Sequence, residues 1–312
     1  MRVRASSRDR DETFGTRSGG TVRLKPAFID FRVRPADAVT HLDTADAGDD
    51  GYLRVYGADF TADRSVQTLV AELATSNGVA IMQAEWETED PVEVNERVSD
   101  AIRAHPERLI GGIATTDPRR SDALQILKDA HDRLGLRGWN FQPGFLQVHM
   151  MDERCRPILE YCQDHGHPVT VHTGVNFSPN GSISYGRPLG LCDMACAYPK
   201  LIVVANHGGW PWVTELLAVL WKHPNVFTDF GAIAPKRMVG HKGGWEPVAH
   251  WMNTMVSDQV LLASDWPMMR HARLIPELTA LGLGAESYEK YTRGNAARLI
   301  NRIWSSDVMS ES

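Results

Sequence analysis

The chain has 312 residues, 43% of them hydrophobic and 23% charged, with a formal net charge of −6. That balance supplies a large core and excludes a disordered chain, and the acidic excess argues against a general nucleic-acid binder, whose phosphate contacts need a basic surface. No apolar run reaches the roughly 20 residues of a membrane span, and the N-terminus lacks the apolar segment of a secretory signal.

In chain order, residues 1–24 are rich in Arg, Asp, Ser, Thr and Gly and read as a flexible tail. A short β-branched run followed by an amphipathic helix then recurs across residues 25–304, and residues 305–312 form a second tail. The predicted strands begin at Ala27 (AFIDFRV), Val79 (VAIMQA), Leu109 (LIGGIA), Leu136 (LRGWNFQ), Pro168 (PVTVH), Leu201 (LIVVAN), Val226 (VFTDF) and Val260 (VLLAS). They lack strict alternation, as expected of parallel strands covered on both faces. Between them, Ser65–Ser76 sets Val66, Leu69, Val70 and Leu73 on one helical face and stops at Asn77-Gly78. Ser121 is placed to cap a helix carrying Ala123, Leu127, Ala130 and Leu134. Helices are also expected over Arg154–His165 and Trp212–Trp221.

Eight strand–helix units favour a single (β/α)₈ barrel over an open sheet, and no glycine-rich phosphate loop follows the first strand. Pro35–Arg64 and Asn176–Pro188 are long loops at the C-terminal ends of strands, the face where barrel enzymes keep their chemistry. Four cysteines, Cys155, Cys162, Cys192 and Cys196, form no disulfide framework and fit a reducing cytoplasm. Cys192 and Cys196, one helical turn apart, read as structural thiols on a helix face rather than a metal or redox pair.

The strand ends carry the chemistry. Strand one ends in Arg32-Val33-Arg34, strand four carries Asn140 and Gln142, strand five ends at His172, strand six at His207 and strand eight at Asp265-Trp266. In a barrel these ends converge on one mouth, so His172, His207 and Asp265 are the candidate catalytic residues. Trp139, Phe177, Tyr185, Trp210 and Trp266 are candidates for an aromatic wall, although packing alone accounts for any one of them. His105, His131, His165, His167 and His223 read as helix caps or solvated residues.

The segments FIDFRVRP, GLRGWNFQP, HPVTVHTG, the stretch from YGRPLGLCDMACAYPK through FTDFGAIAPK, LLASDWP and GNAARLI together resemble the amidohydrolase-related family of metal-dependent barrel hydrolases and decarboxylases, over residues 27–302. They are most similar to its aryl β-ketoacyl-CoA hydrolase-like branch. The resemblance implies that a strand-one His-x-His, a strand-five His and a strand-eight Asp hold one divalent metal, with a strand-six His assisting. His172, Asp265 and His207 match those positions. The His-x-His does not: it reads Arg32-Val33-Arg34, and the family's strand-four Lys-x-His-Pro reads Asn140-Phe141-Gln142-Pro143.

Arginine has no lone pair to offer a metal, and two guanidiniums repel a dication. The sequence therefore favours no tightly bound metal. A single zinc, manganese or iron ion on His172, His207 and Asp265 is the alternative. Arg32 and Arg34 are expected either to hold a substrate anion or to pair with Asp30, Asp265 or loop acids. Asp265 is the expected proton carrier, with Asn140, Gln142, Tyr185, Trp210 and Trp266 as further substrate contacts. The expected activity is cleavage next to a carbonyl or carboxylate of a small aromatic or polyketide-like molecule, by hydrolysis or decarboxylation. An acid–base isomerase, cyclase or dehydratase and a non-catalytic barrel are the rivals. A homo-oligomer stays open.

Overall fold

The computed structural model of the protein describes residues 26–39, 63–85, 90–176, 181–239 and 243–304. Eight parallel strands follow one another in chain order: β1 (Phe28–Val33), β2 (Gly78–Gln83), β3 (Leu109–Thr115), β4 (Arg137–Phe141), β5 (Pro168–His172), β6 (Ile202–Asn206), β7 (Val226–Asp229) and β8 (Val260–Leu261). Backbone bonds join the last to the first. Phe31 N donates to Leu262 O (2.8 Å), Asp265 N to Arg32 O (3.0 Å) and Arg34 N to Trp266 O (2.8 Å). The fold is the expected (β/α)₈ barrel. Strand eight is shorter than VLLAS because β7 stops at Asp229, its last partner being Leu261. Residues beyond Leu261 bond to β1 instead.

The helices are α1 (Val66–Thr75), α2 (Pro91–Ala104), α3 (Ala123–Asp132), α4 (Pro143–Leu146), α5 (Arg156–Asp164), α6 (Leu189–Ala197), α7 (Val213–Lys222), α8 (Val248–Met252), α9 (His271–Glu277), α10 (Ala285–Glu289) and α11 (Asn295–Trp304). Ser65 caps α1 by accepting from Thr68 N, and Asn77 leaves it at φ 51°. The cap expected at Ser121 falls instead on Asp122, whose carboxylate takes two bonds from Arg120 (both 2.8 Å) and makes none to the helix. Of the loop over Asn176–Pro188, the described part contains one 3₁₀ turn, Ile183–Gly186. Phe177, most of the Pro35–Arg64 insertion and both expected tails lie outside the described residues.

Two apolar layers result from the strand pleat. Outward-facing side chains, among them Phe28, Val33, Ala80, Met82, Trp139, Phe141, Val169, Val171, Val203 and Ala205, pack beneath the helices. Ile29, Phe31, Val79, Ile81, Ile113, Ile202, Val204 and Leu261 fill the lower barrel interior. There α11 closes the floor with Ala296, Ile300 and Ile303, and a Cβ on Gly111 would meet the Trp304 ring at 2.6 Å.

The β1–β2 register shifts between Asp30 and Val33. Phe31 belongs to the inner layer and Val33 to the outer one, so the bulge lets Arg32 follow Phe31 inward. Bulges beside active sites commonly re-aim a side chain in this way.

One sequence expectation needs correction. His131 and His167 are buried, with ring centroids 4.1 Å apart. His131 bonds Tyr161 Oη (3.1 Å) and Gly138 O (3.0 Å) through its two ring nitrogens, and burial pushes His167 down to about 2. Cys155 and Cys162 are buried thiols, whereas Cys192 is half-buried and Cys196 exposed. His105, His165 and His223 do occupy helix C-caps.

Asp30 points outward to the helices. Its carboxylate accepts from Ser264 Oγ and Ser264 N, and from His271 Nε2 at 2.8 Å. His271 N and Trp266 Nε1 both donate to Glu72 of α1 at 3.2 Å. This cluster ties β1, the end of β8, α1 and α9 together. Burial lowers the proton affinity of His271, but its bonds to Asp30 and Glu72 outweigh burial and raise it to about 9. An imidazolium favoured only in the fold stabilises it below the unfolded pKa, and that stabilisation is lost as pH rises through the folded value. Chemical denaturation should therefore show stability falling between about pH 6.5 and 9, by on the order of 3 kcal/mol at ~1.4 kcal/mol per unit. In His271→Gln that slope should flatten.

Candidate active site

The upper barrel interior is polar, and its lower tier is hydrogen-bonded. Gln83 Nε2 donates to Phe31 O (2.9 Å) and Asn140 Nδ2 to Ala84 O (2.8 Å). Thr170 Oγ1 lies 3.0 Å from both Gln83 Oε1 and Asn140 Oδ1. These bonds fix the amides of β2 and β4 in one orientation. The tier needs such closure, because each unmatched buried amide costs roughly 1–3 kcal/mol.

Above it sits an ionic tier of two guanidiniums and two carboxylates. Arg32 Nε donates to Asp265 Oδ1 (2.8 Å) and Arg32 Nη2 to Glu85 Oε1 (3.2 Å). Arg34 grips Asp265 with both edge nitrogens, Nε to Oδ1 (2.7 Å) and Nη2 to Oδ2 (2.8 Å). Arg34 Nη1 and Gln142 Nε2 both bond Glu85. Arg32 Nη1 reaches Asn140 Oδ1 (3.5 Å). All four charged side chains are at most 5% exposed, so two positive charges balance two negative ones with almost no help from water. The arginines thus pair with Asp265, as one sequence reading held. Among the described residues their guanidiniums also pair with Glu85, whereas Asp30 lies in the outer cluster and accepts from the backbone N of Arg32 (3.1 Å).

Burial opposes ionisation of Asp265, but Arg34, Arg32 and His207 outweigh it and hold its carboxyl well below the usual range. In this arrangement Asp265 is a charged anchor and a poor base. His172 is pushed well below the ordinary imidazole value, first by burial and then by His207 and Arg32, and is neutral at physiological pH. Its Nδ1 is buried with no hydrogen-bond partner among the described residues. The His172 and His207 rings lie 4.6 Å apart.

His207 is placed by a sharp turn. It has φ 66°, and Gly208 (65°) and Gly209 (66°) follow in the same left-handed region. Asp265, with φ 54°, shares that uncommon backbone. Such strain persists only where surroundings enforce it. Here Asp229 Oδ1 accepts from His207 N (3.1 Å) and Gly231 N (2.8 Å). Asn206, with its amide turned as its neighbours require, donates to Asp229 Oδ2 (2.8 Å) and accepts from Arg32 Nη1 (3.1 Å). Burial raises the pKa of Asp229, with His207 and Arg32 pulling the other way. His207 Nδ1 lies 2.9 Å from Gly231 O. A carbonyl only accepts, so Nδ1 carries the proton and a neutral His207 has its lone pair at Nε2.

The predicted residues divide. Arg32, Arg34, Asn140, Gln142, His172, His207 and Asp265 come together. Trp139 turns outward, donating Nε1 to Thr116 O (3.1 Å), and Trp266 packs toward Glu72 with Arg270 over its ring at 4.6 Å. Tyr185 lies against His149 (4.4 Å between ring centroids), and Trp210 is exposed, with Nε1 bonded to Gly243 O. Phe145 of α4, edge-on to His172 at 5.3 Å, is the aromatic contact that sequence reading missed. Glu85 and Asp229 were also missed. Both are carboxylates at or just past the C-terminal ends of barrel strands, which is the same signal that singled out Asp265.

The donor set does not fit a mononuclear metal. Two expected ligands are arginines, and both Asp265 oxygens already accept from guanidiniums. Among the described residues, His172, His207 and Asp265 do not bring their ligand atoms together as a cation cage.

The amidohydrolase family model matches residues 29–302. Solved structures share the fold. An uncharacterised TIM-barrel protein from Bordetella bronchiseptica is 24% identical (TM-score 0.74), covering 88% of this chain and 99% of that one. The 5-carboxyvanillate decarboxylase of Novosphingobium aromaticivorans, solved with manganese and 4-hydroxy-3-methoxy-5-nitrobenzoic acid, is 17% identical (TM-score 0.64; 89% and 97% covered). A probable 2-pyrone-4,6-dicarboxylic acid hydrolase from Acinetobacter baumannii, solved with citric acid, is 14% identical (TM-score 0.60; 88% and 99% covered). No curated protein matches the chain.

Removing one member of the ionic tier strands a buried charge. Glu85→Gln should destabilise the protein by about 3–5 kcal/mol in urea denaturation, and Arg34→Met by a similar amount. The double variant should lose clearly less than the sum, because it removes charges of opposite sign together. Strict additivity would show that the two side chains do not act as a pair.

Proposed function

The chain belongs to the amidohydrolase family, and we propose that it is a hydrolase or carbon–carbon lyase that cleaves a bond next to a carbonyl or carboxylate of a small aromatic or polyketide-like anion. In this reading Arg34, backed by Arg32, holds the anion, His207 moves the proton, and no tightly bound metal takes part. The carrying observation is the buried Arg32–Arg34–Glu85–Asp265 tier beside His207 Nε2.

The tier is neutral, so an arriving anion must displace a carboxylate. Arg34 is the member to yield, since its side chain keeps slight exposure whereas that of Arg32 is fully enclosed. When a substrate oxygen takes over the guanidinium of Arg34, Asp265 loses its strongest partner and its proton affinity rises. The residue that anchors the resting site then becomes able to accept a proton. His207 Nε2 is free to take a proton from water or from a substrate hydroxyl, and the Nδ1–H bond to Gly231 holds the ring as charge develops on it.

Guanidiniums favour bond breaking in which negative charge grows on the oxygen they hold, as an oxyanion or enolate. They oppose loss of a bound carboxylate as neutral carbon dioxide. Hydrolytic or retro-aldol-like cleavage is therefore favoured over decarboxylation of the held group. The carboxylated aromatic and pyrone compounds named for the structural relatives support the substrate class. The manganese of one relative supports the alternative, a divalent metal on His172, His207 and Asp265. Substrates in this reading are small molecules met in the cytoplasm. Among the described residues, no helix is long and apolar enough to cross a membrane.

The test is turnover of carboxylated aryl ketones, β-keto acids and lactones by protein of measured metal content, before and after chelation. Cleavage should survive chelation. His207→Asn should lower kcat by about 10²–10⁴-fold, and Arg34→Met should lower kcat as well as raise KM, because the guanidinium is proposed to hold both the bound anion and the charge that develops on it. A stoichiometric metal whose removal abolishes turnover and whose return restores it would overturn the metal-free mechanism.

A further inference from the structure

Far from the mouth, on the outer wall, three ligand-type side chains meet. Cys192 and Cys196 lie four residues apart on α6 and so share one helical face. His223 caps the C-terminal end of α7. The ligand atoms of all three lie within 4.8 Å of one another. His223 Nε2 is 3.3 Å from Cys192 Sγ and 4.0 Å from Cys196 Sγ. Tetrahedral zinc, with Zn–S about 2.3 Å and Zn–N about 2.0–2.1 Å, requires an S···N edge of roughly 3.5 Å, and the two observed edges bracket it. The ligands need only small side-chain rotations to close on an ion.

One neighbour competes with a cation at this point and one feature favours it. Lys222 Nζ stands 3.4 Å from Cys192 Sγ and 3.9 Å from Cys196 Sγ, and this exposed lysine must swing into solvent when an ion arrives. The His223 backbone is fixed in advance. Gln259 Nε2 donates to the carbonyls of Leu220 (2.8 Å), His223 (3.0 Å) and Val226 (2.7 Å).

We propose that Cys192, Cys196 and His223 form a zinc site with three protein ligands and a solvent molecule in the fourth position. Each thiol releases its proton to solvent as it binds. Two sulfurs and an imidazole suit zinc, whereas magnesium and calcium prefer oxygen ligands. Because His223 leads into the N-terminal end of β7, the ion sits at the end of the barrel opposite the catalytic mouth. There it pins α6 to α7, and its role is to stabilise the wall. At the other end of the same helix pair, Arg187 and Leu189 N bind Glu215 (2.9 Å each at closest), so the two contacts brace α6 and α7 at both ends.

The experiment is cobalt(II) titration of the reduced full-length protein, followed by displacement with zinc. One cobalt per chain should bind with a near-ultraviolet sulfur-to-cobalt charge-transfer band and the intense visible bands of tetrahedral cobalt. Zinc should abolish these bands and raise Tm. The charge-transfer band should vanish in Cys192→Ser and Cys196→Ser but persist in His172→Asn, since the mouth contains no sulfur ligand. Lys222→Ala retains every ligand and removes the competing ammonium, so it should bind cobalt more tightly; this variant decides the matter if a serine variant fails to fold. The proposal is overturned if the wild-type protein gives no charge-transfer band, if the band survives Cys192→Ser, or if Lys222→Ala binds no more tightly.

Discussion

Two arginines and two carboxylates share one dry space at the top of the barrel, and the rest of the site is arranged around keeping them matched. A buried charge without a partner is among the most costly defects a fold can contain. Each member of this tier is therefore held by the others and by amides that have no freedom to turn. The pair Arg32 and Arg34 carries the same total charge as one divalent cation, on nitrogens that can donate hydrogen bonds but cannot coordinate. In the metal-free reading proposed above, that pair would supply the positive charge a divalent ion would otherwise bring.

The support for that tier comes from backbone geometry as much as from side chains. The irregular pairing of β1 lets Arg32 follow Phe31 into the barrel, although strict alternation would send it outward. Left-handed backbone follows β6 directly at His207 and recurs at Asp265, four residues beyond β8. Asp229 fixes the first of these turns through the backbone of His207, and Asn206 links Asp229 to Arg32. The ionic tier and the histidine pair therefore form one connected hydrogen-bond network that runs from Asp229 of β7 through Asn206 to Arg32 of β1.

The fold was legible because eight apolar runs, each followed by an amphipathic helix, leave few other architectures. The convergence of Arg32, Arg34, Asn140, Gln142, His172, His207 and Asp265 followed from their positions at strand ends. Glu85 was hidden because it lies two residues beyond the last paired residue of β2, where strand and loop cannot be separated by periodicity. The inward turn of Arg32 depends on a register shift that no local pattern announces. Trp139 and Trp266 misled because an aromatic residue beside a catalytic position sits on the opposite face of the strand, and parity, not proximity in sequence, decides which side it joins. The meeting of His223 with Cys192 and Cys196 joins residues on two helices, and only their packing brings it about.

Among the described residues, α11 forms a floor that closes the lower end of the barrel. Ile300, Ile303 and the rest of that helix close the lower interior, and Trp304 presses against the strand at Gly111. Under the proposed reading, a molecule that reaches Arg34 from the upper end finds the floor closed behind it, so both fragments of a cleavage would depart from that same end. A fragment that keeps the carboxylate would be held by the guanidinium proposed to hold the intact molecule. Such a site would be open to inhibition by its own product, competitive with substrate, as a consequence of how the barrel is sealed rather than of how it reacts.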